Sequence, residues 1–241
     1  MTANAFTREE EKQRAIRGRR TVTWLIVFAI VMFFAGLTSA YVVSMSGGYW
    51  VEIKMPKPFL VSTAAIVVSS VFVQLALVSA RQGRSAAVAP LLLVTLALGL
   101  VFTWSQFKGW GELTKSGNFL VSKVLDNKGV YGVDYTIRFE GEALIEENGK
   151  FFHPSDVERA RPLNAELDEQ KNTSSSYFFA LTGAHLAHLV FGLLSLLVMV
   201  VMALMGRYTP QDHVGLWAGT VYWHFLGGLW VYLFSFLLIV H

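Results

Sequence analysis

The sequence predicts an all-α membrane protein organised as a five-helix transmembrane bundle, and three observations carry that reading. Of 241 residues, 54% are hydrophobic and only 15% charged, where a soluble domain carries nearer a quarter charged. Five apolar runs each have the ~20 residues that an α-helix needs to cross a ~30 Å hydrocarbon layer. Lysine and arginine gather on alternate connections, a bias that fixes orientation in membrane proteins.

Taken in order, residues 1–21 form a charged segment with Arg8, Lys12, Arg14, Arg17, Arg19 and Arg20. Its acidic run, Glu9 to Glu11, is unlike a transit peptide, and it leads into a full-length span and not a short signal core. It reads as a cytoplasmic juxtamembrane helix. The spans follow at about 22–43, 59–80, 86–107, 177–205 and 215–240, within a membrane domain of residues 22–241. Arg81 and Arg84 stand between the second and third spans, and Arg207 between the fourth and fifth. With five spans these share a side with the amino-terminal arginines. That places the amino terminus in the cytoplasm and His241 outside. The short outer connection holds Lys54 and Lys57 beside Glu52.

Residues 108–176 form a long outer loop, too polar to span. Residues 131–139 alternate in strand fashion, and Asn148-Gly149 between short apolar pairs predicts a small β-hairpin. A polar segment is expected through Pro162. Acidic residues outnumber basic ones over 115–171. Asn172-Thr173-Ser174 matches a glycosylation sequon.

Composition also excludes. With no cysteine there is no disulfide, thiolate nucleophile, iron–sulfur ligand or covalent c-type haem attachment. A net charge of +3 is too small to argue for nucleic acid. No predicted span contains Asp, Glu or Lys, so the usual titratable groups of pumps and ion-coupled carriers are missing. The chain reads as a subunit and not as a self-sufficient machine.

The residues that could carry chemistry are histidines. His185 and His188 lie three apart on one helix face, after Thr182 and Gly183, and His224 follows Tyr222 and Trp223 near the middle of the last span. Three readings are open: a metal set completed by His224, axial haem ligation across the bundle, or neutral imidazoles that fix helix packing. Small residues at Ala35, Gly36, Ser39 and Ala40, and at Gly227-Gly228, suit close helix approach. Trp24, Tyr41, Trp50, Trp104 and Trp110 fall near predicted span ends, where aromatic belts sit.

Thr182-Gly183-Ala184-His185-Leu186-Ala187-His188, followed by Tyr222-Trp223-His224-Phe225 and by Trp230 six residues past the histidine, resembles subunit III of the haem–copper oxidases. Phe33 to Gly36 and Tyr41 resemble that family's third helix. The resemblance covers the five spans and not the long loop, and it is to the five-span form. It implies a non-catalytic accessory subunit of an aerobic respiratory cytochrome c oxidase in the bacterial plasma membrane. Thr182, Gly183, His185, His188, Tyr222, Trp223, His224, Phe225 and Trp230 then form a structural motif. Catalytic, cofactor-binding and metal-binding residues are all expected to be absent from this chain.

Haem and copper are expected in partner subunits, with subunit I as the main contact and subunit II among the others. The resemblance further implies bound phospholipid, stabilisation of the catalytic subunit during turnover and a lipid-lined path for oxygen. Three carboxylates of the family align with Ile30, Trp217 and Gly227, which argues against a direct proton-antenna role within the membrane. Quinol oxidases and nitric oxide reductase-associated proteins share this subunit. The acidic outer loop favours a cytochrome c or donor-complex partner, since it would steer a cation. A rival of another class is a b-type cytochrome membrane anchor using His185 or His188 with His224.

Overall fold

A computed structural model describes residues 8–240; His241, placed outside by the charge pattern, lies beyond the described residues, as do residues 1–7. Five helices are long and apolar enough to cross a membrane: α1 (Arg8–Met45), α2 (Pro58–Arg81), α3 (Ser85–Lys115), α5 (Thr173–Leu204) and α6 (Val214–Val240). The short α4 (Asn164–Glu169) falls in the long connection. The chain divides into two compact units. One comprises Met1–Phe33, Ala65–Leu100 and His188–Leu229; the other comprises Phe34–Ala64, Val101–Ala187 and Trp230–His241. Each long helix contributes one part to each.

In the first unit, Leu25, Phe28, Phe191 and Val198 are exposed while Ser69, Thr95 and Thr220 are buried. Such a surface is stable only against lipid, where no hydrophobic drive pulls apolar side chains inward and polar side chains serve as interhelical glue. Glycines let these helices close up. A Cβ on Gly99 would meet Leu193 and Trp223 at 2.7 and 2.8 Å, and one on Gly227 would meet Ser70 Oγ at 3.2 Å. The small residues of α1 behave otherwise. Gly36 has open space where a Cβ would stand, and Ala35 and Ser39 are exposed. The close helix approach expected there is not made within this chain.

The second unit holds the helix parts together with all the strands. β1 (Tyr49–Ile53) pairs antiparallel with β2 (Tyr135–Phe139) in the register Val51↔Ile137, and β3 (Glu142–Ala143) flanks β2. A separate hairpin joins β4 (Ile145–Glu147) to β5 (Lys150–Phe152). Its turn is Asn148-Gly149, with φ of 53° and 76°. Positive φ at both central residues defines the type I′ turn that the dipeptide predicts. The strand β1 was not foreseen: five residues between two spans read as a plain link until β2 supplies their partner. The stretch through Pro162 carries no helix or strand. Asn164, at the start of α4, accepts from Phe151 N–H at 2.9 Å and donates to Gly149 O at 2.9 Å. Val51, Val124, Ile137, Leu144, Phe151 and Leu167 close a small core beneath these strands.

α3 runs eight residues past its predicted end. Its last turns have partners there: Gly109 faces the Phe59 ring, where a Cβ would stand 2.6 Å away, and Trp110 donates to Thr182 Oγ1 at 3.1 Å. Asn172 is wholly buried and caps α5, accepting from Ser175 N–H at 3.0 Å and donating to Asn118 Oδ1 at 3.1 Å. The sequon is therefore a helix cap, with its amide out of reach of a glycosylating enzyme. Of the supposed belt aromatics, Trp24 and Trp104 are exposed, whereas Tyr41 and Trp50 are buried against each other with ring centroids 4.9 Å apart. Lys108 Nζ sits 3.8 Å from the Trp104 ring centroid, as an interfacial cation–π pair would.

Candidate functional site

The motif residues are distributed over the two units, each in a separate setting. In the second unit, His185 on α5 is fully buried, with its ring 5.3 Å from Trp230 and 5.9 Å from Phe102. Trp230 in turn stands edge-on to Phe102 at 5.2 Å, and its indole N–H donates to Thr63 Oγ1 at 2.9 Å. Thr182, one turn before His185, accepts from Trp110 and returns its own hydroxyl proton to Phe178 O at 2.8 Å. Gly183 is only half-buried and has open space where its Cβ would be.

In the first unit, Trp223 is buried and donates to Ser69 Oγ at 2.9 Å. Its ring fills the gaps that Gly99 and Gly192 leave. His224 Nε2 meets Gln74 Oε1 at 3.1 Å. An acceptor at that distance calls for the tautomer with its proton on Nε2. Tyr222 donates to the backbone carbonyl of His188 at 3.1 Å, and His188 lies 6.2 Å from the Phe33 ring. Phe225 is half-buried on α6.

The spacing of His185 and His188 suggested one shared face. The structure gives them different neighbours, because three residues along an α-helix return to a point about 60° away. Among the described residues, no three His, Asp or Glu side chains group as a metal site. The imidazole edges and indole N–H groups instead meet Ser, Thr, Gln and aromatic rings. Ser69, Thr63 and Gln74 on α2 and Phe102 on α3 were missed by the sequence reading. A signal for them existed: Ser62 and Ser69, like Thr63 and Ser70, lie seven residues apart in an otherwise apolar span, which places them on one stripe.

Two cavities lie in the first unit. One, of about 580 Å³, is lined by Ile30, His188, Phe191, Ser195, Gly219 and Tyr222 among others. The second, of about 440 Å³, is lined by the apolar Val198, Met199 and Met202 and by Arg19, Arg207 and Asp212 among others. Near them Arg20 Cζ lies 5.2 Å from the Trp217 ring, so the ring face provides for this cation.

Five helices long and apolar enough to cross a membrane define an α-helical multi-pass membrane protein. Comparison with known proteins gives its kin. The family model described as cytochrome c oxidase subunit III matches residues 163–240, the stretch that holds the whole of both motifs. The chain is 37% identical over 72 residues to cytochrome c oxidase subunit 3 of Myxine glutinosa, covering 30% of this chain and 28% of that protein. It is 25% identical over 212 residues to that of Corynebacterium diphtheriae, covering 85% and 79%. With the Pan troglodytes protein it shares 24% over 229 residues, covering 90% and 68%. The strongest local matches thus span about a quarter of the relatives' length, and the longer ones are more dilute. The chain resembles subunit III of the haem–copper oxidases, and its residues 163–240 match the cytochrome c oxidase subunit III family model.

Proposed function

We propose that the chain is the accessory, non-catalytic subunit III of an aerobic cytochrome c oxidase in a bacterial plasma membrane, with its amino terminus in the cytoplasm. In this reading it packs against subunit I, stabilises it during turnover and holds phospholipid along the oxygen path. One observation carries the proposal. The family motif is used for packing within this chain: Trp230 on Thr63, Trp223 on Ser69, His224 on Gln74 and His185 between two rings. Thr182, Gly183, His188, Tyr222 and Phe225 complete that structural motif. The second cavity supports lipid holding, because a lining that combines Val198, Met199 and Met202 with Arg19 and Arg207 suits an acyl chain and its phosphate. Haem and copper belong to the partner subunits in this proposal.

A b-type cytochrome anchor would need two imidazole nitrogens facing one macrocycle. His224 spends Nε2 on Gln74, and His185 has aromatic rings as neighbours. The test is to deplete this chain from the purified oxidase in mild detergent. The remaining complex is expected to keep its haem spectrum and initial oxygen-reduction rate but to inactivate within fewer turnovers. A depleted complex with intact haem and copper content but no initial rate, or a Soret band in the isolated chain, would overturn the proposal.

A further inference from the structure

Between α3 and the 3-10 turn at Val124–Asp126, three consecutive apolar residues stand on the surface. Phe119, Leu120 and Val121 are 46%, 56% and 78% exposed. Leaving such side chains in water forgoes about 25 cal/mol for each Å² of apolar surface that could be buried. Two of the three tip carbonyls, and that of Ser122 beside them, are taken up from within the protein. The Ser175 hydroxyl donates to Phe119 O at 2.8 Å and the Ser176 hydroxyl to Leu120 O at 2.7 Å. Asn172 N–H donates to Ser122 O at 2.8 Å. All three donors sit at the start of α5, and Ser175 is fully buried. Satisfying backbone carbonyls from within the protein is what a segment entering a water-poor layer requires.

The position of the tip agrees with its chemistry. Ser176 lies one helical turn before Phe179 and Ala180, on the same face of α5. Phe179 packs on Trp110 with centroids 5.9 Å apart, and Trp110 meets Phe107 edge-on at 5.5 Å. Phe107 and Ala180 are exposed on membrane-spanning helices. Ala180, an exposed apolar residue of a membrane-spanning helix, therefore stands one turn from the serine that holds Leu120 O.

We propose that residues 119–121 form a membrane wedge. Their side chains insert at the boundary between headgroups and acyl chains of the adjoining leaflet, with the phospholipid surface itself as the ligand. The wedge sets the height of the strand-bearing segment over the bilayer, because Asn172, Ser175 and Ser176 fasten it rigidly to a spanning helix. This inference needs only that the five helices cross a membrane. It stands or falls separately from the oxidase assignment.

The chain has no cysteine, so single labels can be placed without background. Leu120→Cys and Val157→Cys variants of the full chain, the latter at a site 83% exposed in the same connection, would carry an environment-sensitive nitrobenzoxadiazole label in phosphatidylcholine vesicles. Lipid bearing a nitroxide at carbon 5 of the acyl chain is expected to quench the label on Leu120→Cys at least twofold more than that on Val157→Cys. Aqueous iodide should do the reverse. Val121→Cys, expected to behave like Leu120→Cys, guards against a local effect of one substitution. Quenching of the tip labels by iodide alone would show that they face water, and quenching by neither would show that protein covers them. Either result overturns the wedge.

Discussion

Val124, Ile137 and Leu167 are fully buried in the segment that carries the strands, while Glu140 and Glu142 at its β2–β3 turn face solvent. In the spans the assignment is inverted. Ser62, Ser69, Gln106 and Thr182 are buried, and Leu25, Phe28, Val198 and Leu238 are exposed. The same amino acids do opposite jobs because the solvents differ. Water drives apolar groups inward in the first region. Lipid is indifferent to them in the second, so hydrogen bonds and close glycine contacts hold the helices together.

That contrast can be broken most directly by truncating one apolar side chain in each region. Ile137→Ala removes a wholly buried side chain beneath β2 and should cost about 2–5 kcal/mol, read as an earlier loss of protease resistance in the 116–172 connection. Val198→Ala, at an exposed position on α5, should leave stability in a bilayer unchanged within about 0.5 kcal/mol. Equal effects would mean that Val198 is covered by protein. A smaller effect sharpens the membrane side. Ser69→Ala changes little volume but orphans the Trp223 indole N–H, and should cost about 0.6–1.7 kcal/mol in a bilayer unfolding equilibrium. No loss would show that the seam of side-chain hydrogen bonds is ornamental.

The smallest effect is electrostatic. Backbone N–H groups of Arg161 and then Ala160 hold the Asp156 carboxyl below its ordinary value of 3.8, helped by the nearby arginines. A depressed carboxylate contributes stability above its unfolded pKa and loses it as pH falls through the folded one. The turn at 153–161 should therefore exchange amide protons unchanged at neutral pH. It should loosen only below about pH 4, and Asp156→Asn should remove that dependence. Persistence of the acid-induced loosening in the variant would assign it to another carboxylate.

The β4–β5 hairpin was legible because Asn148-Gly149 dictates its own turn. The helices were legible because length and apolarity are properties of each run alone. β1 was not, since residues 49–53 become a strand only through a partner 86 residues away, at the Val51↔Ile137 pair. The candidate site divides in the same way. The motif histidines and tryptophans could be picked out by their cost in lipid, but Ser69, Thr63 and Gln74 could not be matched to them without the helix contacts.

The sequence by itself determined how many helices cross the membrane, where the hairpin turns, and that no thiolate chemistry is available, because each depends on composition or on residues a few positions apart. Only the tertiary structure decided that His185 and His188 have different neighbours, that Asn172 is buried against Asn118, that Tyr41 and Trp50 are core, and that Phe119 to Val121 project from a fastened backbone. Those facts depend on which atoms approach across tens to more than a hundred residues of chain. A local pattern carries no record of such approaches, because a buried serine and an exposed one have the same spelling.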